Sequence, residues 1–277
     1  MERDKIDSNL QQFELKGFRF FLEKAPILNS NEIDELQNKL EFPLPEMLFG
    51  NSYLKIVHKN LEITFDPKES LNFLEKDSKL KVSYSKRWEQ SAEAHKSEIK
   101  EIIKPYDWTY STNYTGTFRM LDKENNHSDA LFEKSDTEIN VENLKKQNPI
   151  LFYGEMVLFE DELADNGTAI FTLRVRVMDD CFFILLRFFL RLDNVLFRIN
   201  DTRIYHEFDK TYLIKEFSST EADYSLVKQS LPKPNFEKNT TSHSNEDLSL
   251  LTDPNFTSSI LNKKGTLVKK TLEKLSF

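Results

Sequence analysis

The stretch from Cys181 to Tyr212 reads CFFILLRFFLRLDNVLFRINDTRIYHEFDKTY. In its first twelve residues the apolar side chains fall on odd and even positions alike, broken only by Arg187 and Arg191. A strand with one wet face would alternate, so this segment predicts a central strand covered on both faces. Asp193 and Asn194 separate it from VLFRI, and such a pair tolerates the positive φ of a tight hairpin. Past Ile199, the side chains of Asn200 and Asp201 are able to bond backbone amides two residues on. A turn is therefore expected there, with Thr202 to Phe208 returning as a strand and Arg203 able to fork onto a carboxylate. Upstream, AIFTLRVRVM (169–178) sends Phe171, Leu173, Val175 and Val177 one way and Thr172, Arg174 and Arg176 the other, the period of a half-buried strand.

Working outward, FELKGFRFFL (13–22) alternates around Gly17 and predicts one strand bent at the glycine. NSNEIDELQNKL (29–40) predicts a helix capped by Asn29, Ser30 or Asn31, with Ile33, Leu36 and Leu40 on one face. Pro43 and Pro45 stop it and hold an extended segment. NSYLKIVHKNLEITF (51–65) predicts a hairpin turning at Lys59 and Asn60, ESLNFLEKD a short helix, and Ser85 to Lys100 a polar helix anchored by Trp88. Residues 121–148 form a polar excursion with a helix at VENLKKQ. The fold class is α+β, one domain of largely antiparallel sheets with surrounding helices. That domain is expected over residues 10–217. Residues 218–258, rich in Ser, Asn, Thr, Lys and Pro, read as a mostly disordered insertion that cannot repay its ordering entropy. Residues 259–277 are expected to form a terminal helix packing back through Leu267, Val268, Leu272 and Leu275.

Composition narrows the function. A net charge of −8 argues against binding duplex nucleic acid, which needs a continuous basic face. Pro254 to Phe277 runs the other way, with five lysines against Glu273 alone, and reads as a solvated face. Six glycines that never cluster give no phosphate-cradling loop. Cys181 is the only cysteine, so no intrachain disulfide forms. The N-terminus has no apolar signal core, and the most hydrophobic run is far short of the ~20 residues of a membrane span. A cytoplasmic or nuclear monomer is expected, with no membrane, no nucleic acid and no cofactor.

His206, Glu207 and Asp209 lie close in sequence, but in a strand His206 faces away from the other two, so they do not chelate a metal. No G-x-S-x-G elbow occurs, and Cys181 opens an apolar strand where a thiol is inert. The carboxylates of FEDELAD (159–165) read as a solvated loop. In KPYDWTY (104–110), Tyr106, Trp108 and Tyr110 would share one strand face as a lid on the core.

Four blocks and the order between them carry a resemblance: FPLPEMLFG (42–50), IKPYDWTYST (103–112), LFEDELADNG (158–167) and FFILLRFFLRLDNVLFRINDTRIYHEFDKTY (182–212). They resemble the TIPRL (TIP41-like) family of target-of-rapamycin signalling regulators that bind type 2A protein phosphatases. The resemblance spans about residues 10–217, with a fainter echo in DPNF and LVKKTLEKL. It implies a non-catalytic protein whose cleft grips the phosphatase catalytic subunit at its C-terminal tail and near its active site. It implies that any metal belongs to the partner, with binding restraining the phosphatase and favouring loss of its catalytic metals. The phosphatase-contacting positions it implies are Asp201 and Ile199 in RINDTR, Glu69 in FDPKES and Ile139 in DTEIN. Ile199 and Glu69 depart from the methionine and aspartate of animal members. The alternative is a hydrolase using His206 with Asp209 or Glu207.

Overall fold

The computed structural model describes residues 9–40, 42–75, 109–121, 127–232 and 248–277. The expected helix at 85–100 with Trp88, and the expected face of Tyr106 and Trp108, lie outside the described residues. In chain order the strands are β1 (Leu10–Leu15), β2 (Phe18–Glu23), β3 (Met47–Leu48), β4 (Tyr53–His58), β5 (Leu61–Phe65), β6 (Thr117–Leu121) and β7 (His127–Asp129). They continue with β8 (Glu133–Lys134), β9 (Phe152–Asp161), β10 (Gly167–Val177), β11 (Cys181–Leu192), β12 (Leu196–Glu207), β13 (Tyr212–Asp223) and β14 (Thr266–Ser276). The helices are α1 (Ser30–Leu40), α2 (Pro67–Ser70), α3 (Val141–Lys145), α4 (Tyr224–Lys228) and α5 (Pro254–Lys264), with 3-10 turns at Leu71–Phe73 and Leu248–Thr252.

The strands make two sheets, one of six in the order β1-β2-β4-β5-β6-β7 and one of eight in the order β3-β9-β10-β11-β12-β13-β14-β8. Every pairing between strands is antiparallel, giving the expected α+β class. One core lies between the sheets: Phe18, Phe20, Leu22, Leu54, Ile56, Ile63 and Phe65 from the first meet Leu158, Phe171, Leu173, Val175, Phe182, Ile184, Leu186 and Phe188 from the second. Gly154 lets them close, because a Cβ there would sit 2.4 Å from Leu22 Cδ2 and 3.0 Å from Val175 Cγ1. As its sequence requires, β11 lies mid-sheet between β10 and β12 with nearly every side chain buried. Asn194 takes φ +63° in the hairpin that follows, and Lys59 takes φ +50° in the turn between β4 and β5.

Several expectations are corrected. FELKGFRFFL is not one bent strand: Lys16 (φ +52°) and Gly17 (φ +81°) form a two-residue turn, and Leu15 pairs with Phe18. Both positive φ values match the right-handed twist of the flanking strands. No turn follows Ile199 either. β12 runs unbroken through Asn200 and Asp201, because their side chains find partners across the structure instead of bonding their own backbone.

The largest correction concerns the C-terminus. Thr266–Ser276 is a strand, not a helix, and pairs along β13 from Tyr212↔Ser276 to Glu221↔Thr266. The leucine spacing suits either state, but Thr266, Val268 and Thr271 are β-branched, and the ladder to β13 satisfies backbone groups that a lone terminal helix would not add. The helix of this region stands earlier, at α5, started by Asp253, whose side chain accepts from Asn255 N–H at 2.8 Å, and by Pro254. Order therefore extends beyond residue 217: β13 continues to Asp223, α4 follows, and the Leu248–Thr252 turn and α5 are built. Of the expected insertion, 233–247 lies outside the described residues.

Candidate functional site

The outer face of the eight-stranded sheet carries two apolar patches with a polar strip between them. At one end α4, α5 and the Leu248–Thr252 turn cover Phe189, Phe197, Ile199 and Ala222. At the other, α3 and the chain before it cover Met178, Cys181, Tyr205 and Ile214. Asp201 stands in the strip. It pairs across the ladder with Arg187 on β11 and Ser218 on β13, and is 3% exposed.

Its carboxylate is fully engaged. Arg187 donates Nε–H to Oδ1 at 2.7 Å and Nη2–H to Oδ2 at 2.8 Å, the two-pronged geometry of the strongest ion pairs. Arg203 donates to Oδ2 at 3.1 Å and to Glu216 Oε1 at 2.6 Å, and Glu216 in turn holds Lys270 at 3.2 Å. On the other side Arg187 donates to Ser258 Oγ (3.1 Å) and Asn255 Oδ1 (3.3 Å) on α5. Arg174, held by Glu155 at 2.7 Å, meets the same Asn255 at 3.3 Å. The strip is a chain of acidic and basic groups from β9 to β14, in which Arg174 and Arg187 meet on Asn255 and α5 roofs the middle. Toward β14 it opens: the Asp201 side chain is 4% exposed, that of Arg203 30% and that of Lys270 46%.

The opening is a groove of about 380 Å³ lined by Glu138, Ile139, Val141, Leu144, Phe183, Arg203, Glu216 and Lys270. Its far wall is fixed by α3. Asn140 caps that helix by accepting from Asn143 N–H at 3.1 Å and ties it to the sheet through Glu207 at 3.1 Å, while Asn143 donates to Tyr205 Oη at 3.1 Å. Arg176 adds a bond to Leu144 O at 3.4 Å. The groove thus presents apolar side chains along one wall and Arg203, Glu216 and Lys270 along the other, which suits an extended segment bearing both apolar and charged groups.

The candidate residues fall into three places. Ile139 lines the groove, and Asp201 lies beneath it, reaching it only through Arg203. Ile199 shares the face of Asp201 but is buried with Phe189 and Phe197 under α4 and α5. Glu69 belongs to the other layer, on α2, where Thr117 Oγ1 donates to it, Tyr114 Oη reaches it at 3.5 Å and Arg119 pairs with it at 3.5 Å.

His206, Glu207 and Asp209 are not brought together. His206 is 2% exposed on the core side, its Nδ1 2.8 Å from Tyr212 O, packed among Phe18, Phe182 and Phe277. Burial holds its imidazole below the ordinary histidine value. Glu207 faces the other way, accepting from Tyr205 Oη at 2.7 Å, and exposed Asp209 pairs with Lys210. Among the described residues no three His, Cys, Asp or Glu side chains converge as metal ligands. Burial pushes the Cys181 thiol up to about 12, as expected of an inert core cysteine. No described helix is long and apolar enough to cross a membrane.

Sequence reasoning missed Arg187, Glu216 and Lys270 as parts of the site. Arg187 had a legible signal: it lies seven residues before Asn194 and Asp201 seven after, so a hairpin centred on Asn194 must pair them.

The family model for the TIP41-like family matches residues 47–228. The chain is 39% identical over 259 residues to a TIP41-like protein of Dictyostelium discoideum, covering 90% of this chain and 88% of that one. It is 36% identical over 271 residues to the human TIP41-like protein, covering 96% and 90%. It is 34% identical over 223 residues to the type 2A phosphatase activator tip41 of Schizosaccharomyces pombe, covering 79% and 85%. The family model takes in Glu155, Arg174, Arg187, Asp201, Arg203 and Glu216 of the strip, and with this match and these relatives the chain belongs to the TIP41-like family.

Proposed function

We propose that this protein is a non-catalytic regulator that binds the catalytic subunit of type 2A protein phosphatases and modulates its activity or assembly in target-of-rapamycin signalling. It does so as a monomer in the cytoplasm and nucleus, and any catalytic metal is the partner's. The observation that carries the reading is the groove on the outer sheet face, where Ile139 stands across from Arg203, Glu216 and Lys270. An extended phosphatase tail lying there would put apolar groups against Ile139, Val141 and Phe183 and acidic or carboxyl-terminal groups toward Arg203 and Lys270. A relative carrying the name type 2A phosphatase activator supports the choice of partner. Asp201 acts in this reading by holding Arg203 in place, and Ile199 by packing the layer beneath α5.

The test is binding to immobilised phosphatase catalytic subunit, intact and lacking its last few residues. Intact subunit should bind and the truncated one bind at least tenfold more weakly. Ile139→Asp, at a half-exposed rim position, should cost about 2 kcal/mol of affinity or more, with the melting temperature read beside it because Ile139 also packs against Cys181, Tyr205 and Ile214. Equal binding of both subunits, or full affinity in Ile139→Asp, would remove the groove from the interface.

A further inference from the structure

We infer that the outer edge of β14 is a docking edge for an acidic, extended segment of a partner protein, which adds to the eight-stranded sheet as a further antiparallel or parallel strand. Among the described residues that edge is covered by β8 at Glu273 and Lys274, with Ser135 N–H reaching Leu272 O at 3.0 Å. From Thr266 to Thr271 no strand lies beyond β14 among the described residues. By the two-residue alternation of a strand, the N–H and C=O of Lys270 face the same open side as those of Leu272. Leu267 and Val268 are each 57% exposed there. An open row of backbone groups flanked by exposed apolar side chains is a template for strand addition.

Charge selects the occupant. Lys263 and Lys264 end α5 just before the strand, and Lys269 and Lys270 stand on opposite faces of it. Lys270 holds Glu216, whereas Lys269 lies over the Phe217 ring at 5.5 Å and Lys264 donates to Ser230 Oγ at 3.0 Å. Among the described residues no carboxylate comes within ion-pair distance of Lys263, Lys264 or Lys269. A second copy of this chain does not fit. Antiparallel self-pairing over Thr266–Thr271 would set four lysines on four successive rungs, and like charges at that spacing repel. The irregular register between Ser219 and Thr220 opposite Val268 twists the edge further against such pairing. Lysines and a bulge are how sheets exclude their own kind, and an acid-bearing strand is the one they still admit.

The probe is a fluorescein-labelled peptide TVEEVTV, titrated into the full chain by polarisation, with TVKKVTV and TVEPVTV as controls. Saturable binding of the first peptide is expected, at least tenfold stronger than either control and weakened as salt screens the exposed charges. Amide exchange should slow within 266–271 on binding. Lys263→Glu/Lys269→Glu should weaken binding about tenfold with an unchanged melting temperature, since neither lysine holds a carboxylate. No binding at millimolar peptide, equal binding of the lysine peptide, or binding without slowed exchange at 266–271 would overturn the inference. So would concentration-dependent dimerisation with that same protection, which would name a second copy as the occupant. The assay contains no phosphatase, so its outcome leaves the groove reading untouched.

Discussion

Replacing Asp201 by Asn separates two roles for this residue, a direct contact to a partner and a buried support for Arg203. The substitution keeps shape and removes charge. It leaves Arg187, whose side chain is 10% exposed, facing one carbonyl oxygen and one amide in place of two anionic oxygens. Breaking a buried pair by neutralising one partner costs about 3–5 kcal/mol. Two features lower the figure: Asn Oδ1 retains one of the hydrogen bonds, and Arg203 keeps Glu216 at 2.6 Å and some water. About 3 kcal/mol is expected, against a total stability of roughly 5–15 kcal/mol, so the variant folds. In urea the midpoint should fall by roughly 1 M with an unchanged slope, for a slope near 3 kcal/mol/M in a chain of this size. Exchange of α5 amides should rise as well, because Arg187 also anchors Asn255 and Ser258. A double-mutant cycle with Arg187→Met and Asp201→Leu should show the pair to be strongly non-additive. A midpoint shift below about 0.3 M, or additive single effects, would refute the buried-pair account. If Asp201 instead touched the phosphatase directly, binding would be lost with stability nearly intact.

Other consequences are as specific. Burial holds both His58 and His206 below the ordinary histidine value, so they are neutral in the fold. The unfolded chain takes up protons below about pH 6.5, so stability is full above that pH and falls as acid is added. Asp161 acts with the opposite sign. Burial pushes its carboxyl up to about 6, so its contribution is present at low pH and lost as pH rises through that value. Melting temperatures at pH 7.5 and 5.5 should therefore show a smaller acid loss in His206→Gln and a larger one in Asp161→Asn than in the wild type. Gly154→Ala should destabilise by about 1–3 kcal/mol in urea titration, since its methyl would overlap fully buried Leu22 where the sheets meet. Cys181, fully buried, should resist thiol reagents in native buffer and react at once in denaturant.

What the sequence disclosed followed from local rules. The doubly apolar run at 181–192 announced the sheet's centre, the alternation at 169–178 its neighbour, and Asn29 the start of α1, where Asn29 and Glu32 cap each other's backbone at 3.0 and 3.1 Å. Where reading failed, a partner distant in sequence had overruled a local preference. Asn200 has turn chemistry, yet its amide donates to Thr112 O at 3.3 Å, 88 residues away. The C-terminal leucines have helical spacing, yet the free side of β13 takes the segment as a strand. The groove was the least legible part. Ile139 sits in a polar excursion and acquires meaning only because Asn140, Asn143 and Arg176 bind that excursion to the sheet.

The strip also bears on register. β11 is apolar on both faces over most of its length, so a slip of two residues against it would cost little on its side by hydrophobic pattern alone. It would cost a great deal at Arg187. Sliding β12 by two positions sets Ile199 or Arg203 opposite Arg187, leaving a buried guanidinium without an anion or against another cation. Arg187 and Asp201 therefore select one register among several with similar apolar burial. Arg203, Glu216 and Lys270 extend the same ladder into the open groove, so the network that fixes the sheet also supplies the charged wall of the proposed interface. A variant at Asp201 or Arg187 consequently reports folding and binding together. Of the groove residues, half-exposed Ile139 weights the readout most toward binding, whereas Lys270 is tied to buried Glu216 and belongs with the network.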